Sequence, residues 1–216
     1  MKKTVLTTIT VLAGLMNAQI IPVSYWEDSA SLKINPFISA LEEAINYNPK
    51  IINISGGGNS FYEREYLAIK KAESLGIIIV SAAGNDGKNI DEFENNFFPS
   101  AYRTSNIISV GAVTKEGSYF YISNCGQKSV DIAALGKDVT ASGLDNTNVT
   151  RSGTSQATAI VCGAIAKAFL IKPDLTFLDI KQILLSSADR KKELKKYFKL
   201  ILKINQIFSC NNQLIH

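Results

Sequence analysis

The sequence predicts an α/β fold: a largely parallel sheet with helices on both faces. Three observations carry this. Short, continuous apolar runs rich in β-branched residues, such as Ile51–Ile54 and Ile77–Val80, read as strands buried on both sides. Stretches with apolar residues at three- and four-residue steps lie between them, so strand and helix alternate along the chain. Glycine, proline and asparagine stand where one pattern gives way to the next.

Ile20-Ile21-Pro22-Val23 suits a short buried strand. Asn35-Pro36 supplies an N-cap and a first helical residue, and Phe37, Leu41 and Ile45 follow on one face until Asn48-Pro49 stops the helix. The strand Ile51–Ile54 runs into Ser55-Gly56-Gly57-Gly58. A helix over Glu63–Leu75 ends at Gly76, a residue free to take the left-handed conformation that closes helices. Ile77–Val80 leads into Ser81-Ala82-Ala83-Gly84-Asn85, and further strands are predicted at Ile107–Val110 and Val130–Ile132. Ser155–Leu170 is almost wholly small or apolar, which predicts a buried helix. Thr176 with Asp179 three residues on is a capping pattern, and it opens a helix carrying Ile180, Ile183 and Leu184. From Arg190 to Phe208, apolar residues (Leu194, Tyr197, Ile201, Ile204, Phe208) recur at helical spacing with lysines between them. This pattern predicts an amphipathic terminal helix packed on the core with a solvated lysine face, in preference to one lying on a membrane surface.

The chain of 216 residues is 46% hydrophobic, enough for one sizeable core and too apolar for disorder. The net charge of +4 is an end effect: Lys181 to Lys203 holds eight basic and two acidic residues, so the rest of the chain sums to −2. No basic footprint on a nucleic-acid-binding fold is visible, and a nucleic-acid partner is not expected. Three cysteines (Cys125, Cys162, Cys210) form no C-x-x-C or Cys/His cluster, which argues against zinc. Cys162 lies in an apolar run and reads as a small buried hydrophobe. The chain has a single histidine, His216, its last residue.

Residues 1–18 open with two lysines, continue through an apolar run diluted by threonines and end at Ala18. Two readings stand. One is a secretory signal peptide cleaved after Ala18, which would make the product secreted or periplasmic; the other is a native stretch, a remnant of a core helix.

Three segments carry the chemistry: Ser55-Gly56-Gly57 after a strand, Ala82-Ala83-Gly84-Asn85 after another, and Ser152-Gly153-Thr154-Ser155-Gln156-Ala157 opening the apolar helix. Each alone is an ordinary glycine turn or serine cap. Together and in this order they resemble the subtilisin-like serine peptidases, the subtilases. The resemblance extends to Phe98-Pro99-Ser100-Ala101, to Val130-Asp131-Ile132-Ala133-Ala134-Leu135-Gly136 and to Lys172-Pro173-Asp174-Leu175-Thr176, and covers roughly residues 18–187. It implies that Ser155 is the nucleophile and Asn85 an oxyanion-hole donor, acting on a peptide or protein substrate. It further implies that Ser55, Gly56 and Gly57 pair with an extended peptide, that Ala82, Ala83 and Gly84 wall a side-chain pocket, and that Gly153 and Thr154 complete the binding surface. No cofactor is expected; calcium is common in the family, yet no acidic cluster suggests a site.

The sequence departs from the family in one large respect. The family's Asp strand and His helix precede the matched residues, and no histidine lies upstream of Ser155. The resemblance therefore implies a domain lacking its N-terminal part, with residues 19–187 a partial catalytic domain and 188–216 a basic tail. Serine is a weak nucleophile without an adjacent base. The isolated chain is thus expected to be nearly inactive unless a separate segment supplies the Asp and His; a non-catalytic peptide-binding module is the alternative. Gly56 for Leu, Leu135 for Pro and Ala159 for Pro are smaller departures.

Overall fold

The computed structural model describes residues 19–24, 36–143, 147–189, 194, 197–198 and 201–202. Its elements are α1 (Pro36–Asn46), β1 (Ile51–Ile54), α2 (Glu63–Ser74), β2 (Ile78–Ala82), β3 (Ile107–Val113), β4 (Ile132–Leu135), β5 (Val139–Ser142), β6 (Asn148–Arg151), α3 (Thr154–Ile171), α4 (Phe177–Ser186), β7 (Ala188–Asp189) and β8 (Ile201–Leu202). Every residue of β2 and β3 is buried, so neither strand has a face that water will accept and both faces of the sheet must be covered. The resulting sheet has the order β1-β2-β3-β4-β8-β7, with β1 to β4 and β8 paired in parallel and β7 antiparallel to β8.

Strand alternation sorts the core into layers. Ile78, Val80, Ile108, Val110, Ala112, Ile132 and Ala134 pack with Ala157, Val161 and Ile165 of α3 and with Ile180 and Leu184 of α4. Their neighbours Ile52, Ile54, Ile79 and Ile107 face the other way, onto Leu41 and Ile45 of α1 and Ala68, Ile69 and Ala72 of α2. Helix α3 is long and apolar enough to cross a membrane, but 67% of it is buried inside the protein, which makes it the central core helix. The expected terminators are in place: Gly76 takes φ 72° after α2, and Thr176 and Asp179 form a reciprocal capping box at α4.

Four expectations change. Ile20–Val23 is not a strand, and Ile21 is 42% exposed; Pro22 has no N–H to give a ladder. Strand β3 runs on to Val113, because Gly111, Ala112 and Val113 continue the register with Ala133, Ala134 and Leu135. Strand β4 starts at Ile132, since Val130 is buried in the preceding loop and the Asp131 carboxylate accepts the Ser109 N–H at 3.0 Å. Strands β5 and β6 form an antiparallel ribbon that the sequence pattern does not predict.

Most of the predicted terminal helix, Arg190–Phe208, and all of residues 1–18 lie outside the described residues. Where the tail is described, a helical turn survives at Leu194, whose carbonyl accepts the Tyr197 and Phe198 N–H groups, but Ile201–Leu202 is strand β8, pairing with β4 and β7. The edge of β4 offers unpaired N–H and C=O groups, and a strand satisfies them where a helix cannot. Leu194 and Phe198 are buried with Ala83, Ile90, Val113, Val130 and Ala133. The Phe198 ring lies where a Cβ on Gly111 would sit, 2.4 Å away, so that glycine makes its seat.

Candidate active site

Because β1 and β2 pair in register, Ile54 with Ser81, the segments that follow them leave the sheet at the same C-terminal edge. This edge is where open α/β sheets hold ligands. Helix α3 begins there too, which brings together residues a hundred positions apart. The Ser155 hydroxyl donates to the Ser55 carbonyl oxygen at 2.8 Å, and the Ser55 hydroxyl donates to the Ser155 carbonyl at 3.3 Å. Ser55 is itself oriented from the core. Burial pushes the Cys162 thiol far above its usual range, so it stays protonated and donates to Asn53 Oδ1 at 3.3 Å. That leaves the Asn53 amide to donate to Ser55 Oγ at 2.9 Å.

Asn85 is tied to the residue before Ser155. Its Oδ1 accepts the Thr154 N–H at 2.8 Å and the Thr154 hydroxyl at 3.1 Å. The carbonyl end is therefore occupied and the exposed Asn85 presents its Nδ2 donor pair. Gly153 allows this approach: with φ 150°, its Cβ would sit 3.3 Å from both Asn85 Nδ2 and Oδ1. At the start of α3, Thr154 N–H is taken by Asn85, and Gln156 and Ala157 N–H both bond the Gly153 carbonyl, at 3.2 and 3.4 Å. Among the described residues nothing accepts the Ser155 N–H. The helix has no acidic residue in its first turn and no side-chain cap, so the positive end of an 18-residue dipole stays uncompensated beside Ser155.

Ala82, Ala83 and Gly84 are buried and clasped from behind. Asn124 donates to the Ala83 carbonyl at 2.9 Å through its amide and to the Gly84 carbonyl at 2.9 Å through its N–H, while its Oδ1 accepts the N–H groups of Asp86 and Lys88. Ser100 Oγ donates to the Ala82 carbonyl at 2.9 Å. Gly84, at φ 101°, has no room for a Cβ, which would lie 2.3 Å from Asn124 Nδ2. Across the cleft, Gly58 and Phe98 exchange backbone hydrogen bonds of 3.0 and 2.7 Å, and a Cβ on Gly57 would strike the Phe98 carbonyl at 2.2 Å. No hydrogen bond among the described residues takes up the backbone of Gly56 or Gly57.

All ten residues singled out from the sequence (Ser55, Gly56, Gly57, Ala82, Ala83, Gly84, Asn85, Gly153, Thr154, Ser155) lie on this edge. Asn53, Cys162 and Asn124 were missed; a lone Asn or Cys carries no local signal of a contact so distant in sequence. No titratable side chain among the described residues hydrogen-bonds the Ser155 hydroxyl, and none of their His, Cys, Asp and Glu side chains form a group of three that could hold a metal.

The class this defines is a parallel α/β sheet with a serine at a helix N-terminus beside an asparagine side chain. The family model described as "Subtilase family" matches residues 4–200, and the chain belongs to that family. It is 32% identical over 175 residues to the thermostable alkaline protease of Halalkalibacterium halodurans, covering 81% of this chain and 46% of that protein. It is 30% identical over 181 residues to subtilisin amylosacchariticus of Bacillus subtilis subsp. amylosacchariticus, covering 84% of this chain and 46% of that one. The crystal structure of a cold adapted subtilisin-like serine proteinase superposes with a TM-score of 0.77 at 26% identity, covering 92% of this chain and 72% of the other. The chain spans about half the length of the curated relatives it matches.

Proposed function

We propose that this edge is the nucleophile half of a serine endopeptidase site, with Ser155 as nucleophile and the Ser155 N–H and Asn85 Nδ2 as oxyanion donors. The observation that carries the reading is the Asn85–Thr154 tie, which holds an amide donor next to the serine at an uncapped helix start. An extended peptide or protein substrate would pair with the open backbone of Gly56 and Gly57, its side chain against Ala82, Ala83 and Gly84. Attack forms the Ser155 Oγ–carbon bond and moves the carbonyl electron pair onto oxygen, between the two donors. The hydroxyl proton must pass to a base and from it to the leaving amine as the C–N bond breaks; water then repeats the sequence on the acyl-serine.

The base is what this chain lacks, its one imidazole being on His216. We therefore expect little turnover from the chain alone and recovery when a separate segment supplies an Asp and a His. A fluorophosphonate probe tests the state of the serine. The expected result is negligible labelling of the chain alone and labelling on addition of an Asp/His-bearing segment, abolished by Ser155→Ala. In the completed site, Asn85→Ala should slow turnover by about 10² to 10³, the loss known for removing one such donor in a subtilisin. Strong labelling of the isolated chain would overturn the incomplete-site reading.

One observation favours a second reading, a peptide-binding module without hydrolysis: the Ser155 hydroxyl proton is committed to the Ser55 carbonyl. Binding alone needs neither Ser155 nor Asn85. Peptide retained uncleaved, with equal affinity in Ser155→Ala, after the Asp/His segment is restored would establish that reading instead.

A further inference from the structure

At the opposite end of the sheet, where β3 and β4 begin, a cleft of about 180 Å³ opens between Arg103, Lys128 and Lys181, with Ile107 and Ser129 beneath and Asp131 at one wall. Three cations face one carboxylate. That carboxylate is already engaged: Asp131 Oδ2 accepts the Ser109 N–H at 3.0 Å and Oδ1 lies 3.9 Å from Lys181 Nζ. Arg103 is planted by a 2.9 Å bond from its guanidinium to Ser129 Oγ, which in turn donates to the Ile90 carbonyl. A guanidinium has further N–H donors beyond the one used here.

Two buried hydroxyls that follow lining residues in the chain or contact one have no partner among the described residues: Thr104 Oγ1, next to Arg103, and Ser109 Oγ, whose backbone N–H bonds Asp131. Ser109 is 1% exposed, and strand alternation puts it on the same face as the cleft residue Ile107. Buried hydroxyls left unpaired are costly. A metal cation fits badly where positive side chains outnumber the one carboxylate. At about 180 Å³ the cleft is smaller than the roughly 300–1,000 Å³ of pockets that enclose drug-sized ligands.

We propose that this cleft binds a doubly charged tetrahedral oxyanion of the phosphate type, either the free ion or a phosphoryl group on a peptide. Arg103 supplies the fork, and Lys128 and Lys181 the point charges. The proposal does not rest on the reading of Ser155, so it is tested in the full chain carrying Ser155→Ala.

Equilibrium dialysis with radiolabelled inorganic phosphate, at constant ionic strength in chloride, should give saturable binding of one phosphate per chain, with sulfate competing. Arg103→Ala with Lys128→Ala should weaken it by about tenfold or more, as the loss of charge-assisted hydrogen bonds requires. Lys128→Ala alone changes an exposed side chain and leaves folding intact, as circular dichroism will verify; it should weaken binding by about threefold. Competition by phosphoserine peptide as effective as by phosphate assigns the site to a phosphoryl group, and competition by the free ion alone assigns it to inorganic phosphate. Absence of saturable binding, or undiminished binding in the folded Lys128→Ala variant and in the double variant, overturns the proposal.

Discussion

The two faces of the central sheet use the same strands but bury different things. Against α3 and α4 the interior is aliphatic and small-residue packing, with no unpaired polar atom among the described residues. On the face of α1 and α2, Glu65 Oε1, Asn106 Oδ1 and Ser109 Oγ go without a partner among the described residues, and Thr104 Oγ1, in the loop before β3, is a fourth such buried atom. The dry face carries the helix whose first turn holds Ser155, and close packing there fixes the position of that turn. The other face is where polar groups have been left in reserve, and it is where a ligand or a change of protonation will be felt.

The largest effect tests the premise that both faces pack equally well. Ile165→Ala, on the α3 side at 1% exposure, should cost about 2–5 kcal/mol of stability, and Ile69→Ala, under α2 at 0%, should fall in the same range. Denaturant unfolding checks both. A much cheaper Ile69→Ala would mean that the α2 face is loosely packed as well as polar, and the contrast would have to be redrawn.

Glu65 sharpens the comparison. Burial pushes its carboxyl up from 4.5 to about 7, against a smaller opposing pull from the Tyr102 hydroxyl. With the folded value above the unfolded one, the folded state holds the proton more tightly. The stability this provides is fully present below about pH 4.5 and is lost as pH rises through about 7. Melting temperature followed from pH 4 to 8 should therefore fall over that window in the parent chain relative to Glu65→Gln. Parallel curves would show that the carboxyl is solvated.

The smallest effect concerns Ser109. Removing a buried hydroxyl that has no partner should leave the phosphate-free chain unchanged or more stable by up to about 1 kcal/mol. Destabilisation by Ser109→Ala would mean that the hydroxyl is already satisfied in the native protein.

Much of this architecture is legible in the sequence, and for local reasons. Strands β1 and β2 announce themselves by β-branched runs, α2 by its closing Gly76, and α4 by Thr176 and Asp179, each a signal contained in a few consecutive residues. The β5–β6 ribbon is not legible, because its half-exposed, polar strands (VTAS and NVTR) lack an apolar run. Strand β8 misleads for a different reason. Leu194, Tyr197 and Ile201 do keep helical spacing, but the open edge of β4 is what Ile201 and Leu202 have to satisfy. The site divides in the same way. Ser155, Asn85 and the glycines stand in ordered motifs, whereas Asn124 and Cys162 act through contacts 36 to 109 residues away.

By itself, the sequence determined the alternation of strand and helix, the buried character of α3, the family's ordered motifs and the lack of an internal histidine. These depend on residue type and near spacing, which the unfolded chain already contains. Only the tertiary structure decided that Asn85 spends its carbonyl on Thr154, that Ser155 hydrogen-bonds Ser55, that the tail closes the sheet, and that three cations converge around a single carboxylate. Such contacts depend on where separate elements end once the sheet is in register, and that register is set by burying both faces at once.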